Sequence, residues 1–316
     1  MTWTRKTEYA AGTGDDGLKV SQFLRRRGYS RQNLIRLKQT ENSVLVNGVP
    51  SRLNGRLRSG DNIQVIIAQE QSSPEVTPVY YPLDILYEDE DLLAVNKPAG
   101  MPVHPSRGNR DNTLANALAW YFRQKNEPFV FRCSNRLDRD TSGVIVVARH
   151  ALSGCMLSEM GVRREIGREY LGIVRGLPDP PSGIINVPIG RKPGSIIERT
   201  VDPEHGETAC THYRVLSHGN GHSLLWLKLE TGRTHQIRIH LKYLGWPLVG
   251  DYLYNPDTEF IHRQALHSWR MSFFHPITGE KMCFTAPLPG DMAGIVPDPG
   301  IVAEDFPVIE DQPGGL

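Results

Sequence analysis

Cysteine is scarce in this chain of 316 residues, and none of Cys133, Cys155, Cys210 and Cys283 stands in a paired C-x-x-C spacing. That pattern argues against a disulfide framework or a structural zinc site and for reduced thiols. No apolar run approaches the roughly 20 residues needed to span a bilayer. Met1 to Thr7 is polar where a signal peptide carries its apolar core. A cytoplasmic protein with no membrane contact is the expectation. Also missing are a G-x-x-x-x-G-K-S/T phosphate loop and a dinucleotide fingerprint set in a strand–helix–strand unit, so no cofactor is expected. Excess charge is missing as well, the net value being +1.

That small sum hides a segregation. Residues 1–70 hold twelve Lys or Arg against six Asp or Glu, whereas residues 291–316 hold six acids and no base. A basic face for a polyanion is compatible with such a neutral total. Within GLKVSQFLRRRGYSRQNLIRLK, residues 17–38, apolar and basic positions alternate at helical spacing. Leu18, Val20, Phe23 and Leu24 should face inward and the Arg25–Arg27 run should face solvent. Gly28 followed by Ser30 reads as one helix end and a new N-cap, giving two short helices. Next, SVLVNGVPSR holds a hairpin signal at Asn47-Gly48, and RLRSGDNIQVII a turn followed by a strand. The result is a compact basic module over residues 1–68, with Arg25, Arg26, Arg27, Arg31, Arg36 and Lys38 as candidate RNA contacts. Such contacts would be made to phosphates and shape rather than to base edges.

Residues 69–82, rich in Ser, Pro and Glu, read as a linker. From 83 to 290 short β-type runs (DLLAVNK, GVIVVAR, REYLGIVRG, THYRVL, SLLWLKLE) mix with helical stretches near 113–124 and 151–164. An α+β fold follows: a mixed, largely antiparallel sheet with flanking helices and loops, plus the small N-terminal domain. Residues 291–316 form an acidic, proline-rich tail expected to be loosely ordered.

Three segments carry chemistry. In NRLDRDTSGVIVVAR, residues 135–149, a polar loop with two carboxylates and two arginines feeds a continuous apolar strand. A rigid strand can hold reactive groups in such a loop, although for an isolated L-D-x-D-T-S-G capping of backbone amides is the commoner reading. In TGRTHQIRIHLKYLG, residues 231–245, Arg233, His235, Arg238, His240 and Lys242 are interleaved with apolar residues. The histidine spacing does not suit zinc, so no metal site is expected. An inward arginine there needs an anion, and Asp138 is the candidate. The third, REYLGIVRG, places Tyr170 at the start of a strand, where a core position is the commoner role.

Taken in order, VNKPAGMPVHPS, RLDRDTSGVIVVAR, REYLGIVRG, TGRTHQIRIHL, GDYLY and LHSWRMSFFHPITGE resemble the RluA-type family of RNA pseudouridine synthases. The resemblance spans about residues 83–289. The N-terminal stretch is similar to the alpha-L RNA-binding domain of ribosomal-protein type. This resemblance implies that Asp138 is the essential aspartate, acting at the ribose as the glycosidic bond breaks. It further implies that Tyr170 stacks on the target base and helps remove the proton at carbon 5. Arg238 is then the partner of the aspartate, and Arg136 enters the RNA stack where the base has flipped out. One departure stands out: the family usually has His before R-L-D, and Asn135 occupies that place. The implied substrate is large-subunit ribosomal RNA. Transfer RNA, or a non-catalytic role in binding RNA during ribosome assembly, are the alternatives.

Overall fold

The computed structural model describes residues 5–67, 70–297 and 300. Its first unit follows the predicted order from the helices onward, and adds before them a strand that was not expected. Strand β1 (Arg5–Ala10) leads to helices α1 (Val20–Arg26) and α2 (Arg31–Gln39), then β2 (Val44–Val46), β3 (Val49–Pro50) and β4 (Asn62–Ile67). Gly28 takes a positive φ of 82° between the helices, and Ser30 caps α2 by accepting the Asn33 amide at 3.2 Å. Asn47 and Gly48 are both left-handed, as the two-residue turn between β2 and β3 requires. The strands form an antiparallel sheet ordered β1-β4-β2-β3, and Val20, Phe23 and Leu24 of α1 are fully buried against it. Gly12, Gly14 and Gly17 have G-x-G-x-x-G spacing, but they lie around a short 3-10 turn after an antiparallel strand. That is not a dinucleotide-binding setting.

The second unit is one nine-stranded sheet. Its strands are β5 (Asp84–Glu88), β6 (Leu92–Lys97), β7 (Ser142–Ala148), β8 (Gly167–Arg175), β9 (Ser182–Asn186), β12 (Cys210–Gly219), β13 (His222–Leu229), β14 (Leu266–Phe274) and β15 (Lys281–Thr285). A separate hairpin, β10 (Ile189–Arg191) and β11 (Arg199–Val201), sits between β9 and β12 in the chain. Helices α3 (Leu114–Gln124), α4 (Ala151–Val162), α5 (Gln236–Tyr243) and α6 (Gly290–Ala293) flank the sheet. The order is β5-β6-β7-β14-β8-β13-β12-β9, with β15 on β14, and every pairing except β7–β14 is antiparallel. The mixed, largely antiparallel α+β architecture is therefore as the sequence indicated.

The parallel contact between β7 and β14 is unusually close. Gly143 adopts φ 112°, and a Cβ added there would overlap the carbonyl of Ser268. Gly143→Ala is expected to cost at least about 3 kcal/mol, read as a lower urea midpoint at unchanged slope. An unaltered midpoint would mean that the two backbones do not approach this closely.

Three expectations need correction. Arg27 does not project freely into solvent: its guanidinium carbon lies 3.4 Å from the Phe23 ring centroid, and it pairs with Asp15 at 3.4 Å. A cation can gain more from an aromatic face and a nearby carboxylate than from water. The described part of the linker is not a free tether. The Ser72 hydroxyl accepts the Phe129 amide at 3.0 Å, and Asn116 Nδ2 donates to the Thr77 carbonyl at 2.7 Å. The body also continues beyond 290. Met292, Ile295 and Val296 are buried with Trp269 and Leu171, and Asp291 forms a forked pair with Arg263 at 2.6 and 2.8 Å. The rest of the acidic tail lies outside the described residues, Gly300 apart.

The two units are docked on one another. Leu152 of α4 belongs to the N-terminal core, with Met156 and Ile277 packed against it. Arg5 of β1 grips Asp91 through two bonds of 2.8 Å, and His150 Nε2 reaches the same carboxylate at 2.7 Å. Glu70 pairs with both Arg36 of α2 and Arg132 of the body.

Candidate active site

Every residue of β7 is buried, so the loop that enters it has a rigid anchor. Asn135 strengthens that anchor. Its side-chain amide donates to the Val144 carbonyl at 3.1 Å and accepts the Val146 amide at 3.2 Å, acting as a surrogate strand partner. From the far side, Lys97 Nζ donates to the carbonyls of Pro98, Met101 and Arg139 at 2.8, 2.8 and 3.0 Å. Burial pushes the Lys97 ammonium down to about 7, against the pull of Asp140 and Asp138. Between these two anchors the loop presents Asp138, whose side chain is 27% exposed.

The facing element is α5. The apolar interleaving of residues 231–245 is helical, and it turns Gln236, Arg238 and His240 inward beside Ile237, Ile239 and Leu241. Its N-cap, His235, is left-handed at φ 58°, a conformation costing about 1–2 kcal/mol for a residue with a β-carbon. Arg238 uses all three nitrogens. Nε and Nη2 form a fork on Asp251 at 2.7 Å each, and Nη1 donates to Asp138 Oδ2 at 2.8 Å. Burial works to lower the Arg238 pKa, but the bonds to Asp251 and the charges of Asp138 and Asp251 outweigh it and hold it raised. Asp251 is fully buried and takes further bonds from the amides of Leu253 and Tyr254 at 3.1 and 3.2 Å. The arginine is thus clamped from behind and offers one N–H forward.

Asp138, His235 and Arg238 line a cleft of about 630 Å³, whose walls include Arg132, Arg136, Arg168 and Arg233 as well and, among the described residues, a single carboxylate, Asp138. Tyr170 forms part of the wall, 5% exposed, with burial raising its pKa above the ordinary phenol value. A concave, strongly cationic site with one acid held by an arginine suits an anionic substrate on which that acid acts. Both side-chain ion contacts of Asp138 among the described residues fall on Oδ2, the second being His235 Nε2 at 3.7 Å, which leaves Oδ1 for substrate.

Comparison with known proteins agrees with this geometry. Residues 91–243 match the family model described as RNA pseudouridylate synthase. An uncharacterized RNA pseudouridine synthase of Bacillus subtilis, YjbO, is 39% identical over 279 residues, which cover 88% of this chain and 98% of that protein. The chain belongs to the RNA pseudouridine synthase family. Ribosomal large subunit pseudouridine synthase D of Escherichia coli strain K12 is 37% identical over 301 residues, 90% of each chain. Among solved structures, human RNA pseudouridylate synthase domain containing 1 superimposes with a TM-score of 0.57 at 26% identity, covering 72% of this chain and 91% of that one.

In this RNA pseudouridine synthase, Asp138, Tyr170, Arg238 and Arg136 meet at one cleft. Arg25, Arg26, Arg31 and Lys38 do not line it, and are exposed on the N-terminal unit. From the sequence, Asp138 alone was expected to meet the inward arginine, whereas Arg238 meets both Asp138 and Asp251. Asp251 was legible as the acid of GDYLY, but nothing in its spacing told that it lies behind Arg238. Arg168 was also missed. It lines the cleft, and its buried Nε has no partner among the described residues. The first letter of REYLGIVRG was its only signal.

Proposed function

We propose that this synthase isomerises specific uridines to pseudouridine in large-subunit ribosomal RNA, in the cytoplasm, with Asp138 as the catalytic residue. One observation carries the site assignment: the only carboxylate in a cleft of five arginines is held by a buried arginine that is itself clamped by a second acid. The ribosomal substrate is supported by the relatives named large subunit synthase D, whose match covers 90% of the chain.

The reaction breaks the bond from ribose C1′ to uracil N1 and makes one from C1′ to C5. The proton at C5 is lost and N1 gains one, so the product has the atoms of the substrate. A target within folded RNA must leave its stack, at a cost of a few kcal/mol. Stacking on Tyr170, worth about 1–3 kcal/mol, and insertion of Arg136 into the vacancy offset that cost. A neutral phenol serves as a stacking face, and as a base at C5 it would first have to lose its own proton. Asp138 Oδ1 approaches the ribose, while Arg238 fixes the carboxylate through Oδ2. Arg168 and Arg233 are placed to meet flanking phosphates.

The test is release of tritium from RNA labelled at uridine C5, with unmodified large-subunit ribosomal RNA and bulk transfer RNA compared. Release from ribosomal RNA supports the proposal. Release from transfer RNA alone would keep the chemistry and replace the substrate. Tight binding without release from either would favour a binding protein.

The N-terminal unit makes a separate prediction. Arg31→Ala with Lys38→Ala should weaken RNA binding and reduce the slope of log affinity against log salt by about 2. An unchanged slope would place the phosphate contacts elsewhere.

A further inference from the structure

Tyr254 closes the GDYLY segment, and its hydroxyl joins two parts of the site. The peptide N–H of Arg199, in β11 of the separate hairpin, donates to Tyr254 Oη at 2.8 Å. The same oxygen lies 2.8 Å from His235 Nδ1. Tyr254 Oη already accepts one hydrogen bond, and His235 Nδ1 is the acceptor within its reach among the described residues, so the arrangement that uses the phenol proton directs it at Nδ1. The histidine proton is then on Nε2, the nitrogen 3.7 Å from Asp138 Oδ2. Burial lowers the His235 pKa, and Arg238 adds to this while Asp138 opposes it, which favours the neutral ring.

We propose, resting on the isomerase reading above, that Tyr254 is a positioning residue: held by the hairpin backbone, it fixes His235 as the tautomer whose Nε2–H faces Asp138. At 3.7 Å this N–H is an electrostatic neighbour of the carboxylate rather than a hydrogen bond, close enough to tighten when RNA fills the cleft. The left-handed backbone of His235 places the ring at the mouth of α5 rather than along it. The Tyr254 ring also lies 5.0 Å from the Arg238 guanidinium carbon and 5.3 Å from Lys242 Nζ. One aromatic residue therefore supports both partners of the catalytic aspartate. The hairpin thereby has a direct line to the chemistry: a shift of Arg199 away from Tyr254 frees the hydroxyl that sets the histidine.

Tyr254→Phe tests this cleanly, because the ring contacts stay and only the hydroxyl goes. His235→Asn is the matching change, since asparagine tolerates the left-handed backbone. Single-turnover conversion of tritiated large-subunit ribosomal RNA should slow about tenfold in each variant, the size of one lost polar contact, with RNA affinity unchanged. Adding Tyr254→Phe to His235→Asn should cost nothing further. The 15N spectrum of the wild-type imidazole should show Nε2 protonated and Nδ1 as acceptor, a distribution that Tyr254→Phe shifts. A wild-type rate in Tyr254→Phe, fully additive losses, or a wild-type Nδ1–H tautomer would each overturn the proposal. If wild type turns over and Asp138→Ala does not, those results leave the isomerase reading standing. A wild-type protein that converts no RNA would overturn that reading and this inference together.

Discussion

Asp138→Ala is expected to lower turnover by at least about 1,000-fold while RNA affinity stays within about threefold of wild type. The affinity should survive because the groups proposed to meet phosphates are the cleft arginines and the N-terminal basic residues, which Asp138 does not hold in place. Arg238, the one arginine that does touch Asp138, remains clamped by Asp251 in the variant. The loop should also keep its shape, since Asn135 and Lys97 anchor it on either side. Removing one acid from a cationic cleft tightens non-specific binding slightly if it changes binding at all. Parallel measurements of tritium release and filter binding decide the matter. Loss of both together would reduce Asp138 to a structural residue.

Arg238→Ala should behave differently, losing activity and stability at once. It strands Asp251, whose side chain is 1% exposed, as a buried charge without its cation. Breaking such a pair costs about 3–5 kcal/mol, which for a protein of this size is a fall in melting temperature on the order of 10 °C. The backbone amides of Leu253 and Tyr254 still hold Asp251 and temper the loss. Arg238→Lys should recover little activity, because an ammonium cannot form the fork on Asp251 and also reach Asp138. Thermal unfolding alongside single-turnover rates checks both halves. Unchanged values in the alanine variant would mean that the pairing does not operate in solution.

Much of this site was legible because its elements announce themselves locally. Val144 to Ala148 could only be a buried strand, and the polar loop before it could only be at its mouth. Some bases of residues 231–245 were expected to turn inward because apolar residues separate them, and Arg238 and His240 do so while Lys242 stays exposed. What the sequence did not show is the arrangement behind the first layer. Asp251 follows Arg238 by thirteen residues, and no local periodicity links a helix to the turn after it. A buried charge pair is also not in itself a mark of catalysis. Arg270 and Glu169 form one at 2.7 Å within the sheet, fully covered. The opening of Asp138 to the cleft distinguishes the carboxylate proposed to react, and exposure is a tertiary property. The same holds for residues 70–82 and 291–297, whose composition is that of a tether or tail. Their bonds to Phe129, Asn116 and Arg263 come from partners distant in sequence.

With the basic unit binding RNA as proposed, its docking onto α4 through Arg5, Asp91 and Leu152 has a consequence for how RNA is chosen. Two binding surfaces joined by a floppy tether act as independent hands, and the second engages at a local concentration set by tether length. Joined rigidly, they act as a gauge. An RNA whose fold presents a backbone to one surface and an extrudable uridine to the other engages both with little further ordering entropy. An RNA with the same uridine in another shape reaches only one. Selectivity among many chemically identical uridines can then come from the spacing of two surfaces, with no base edge being read outside the cleft.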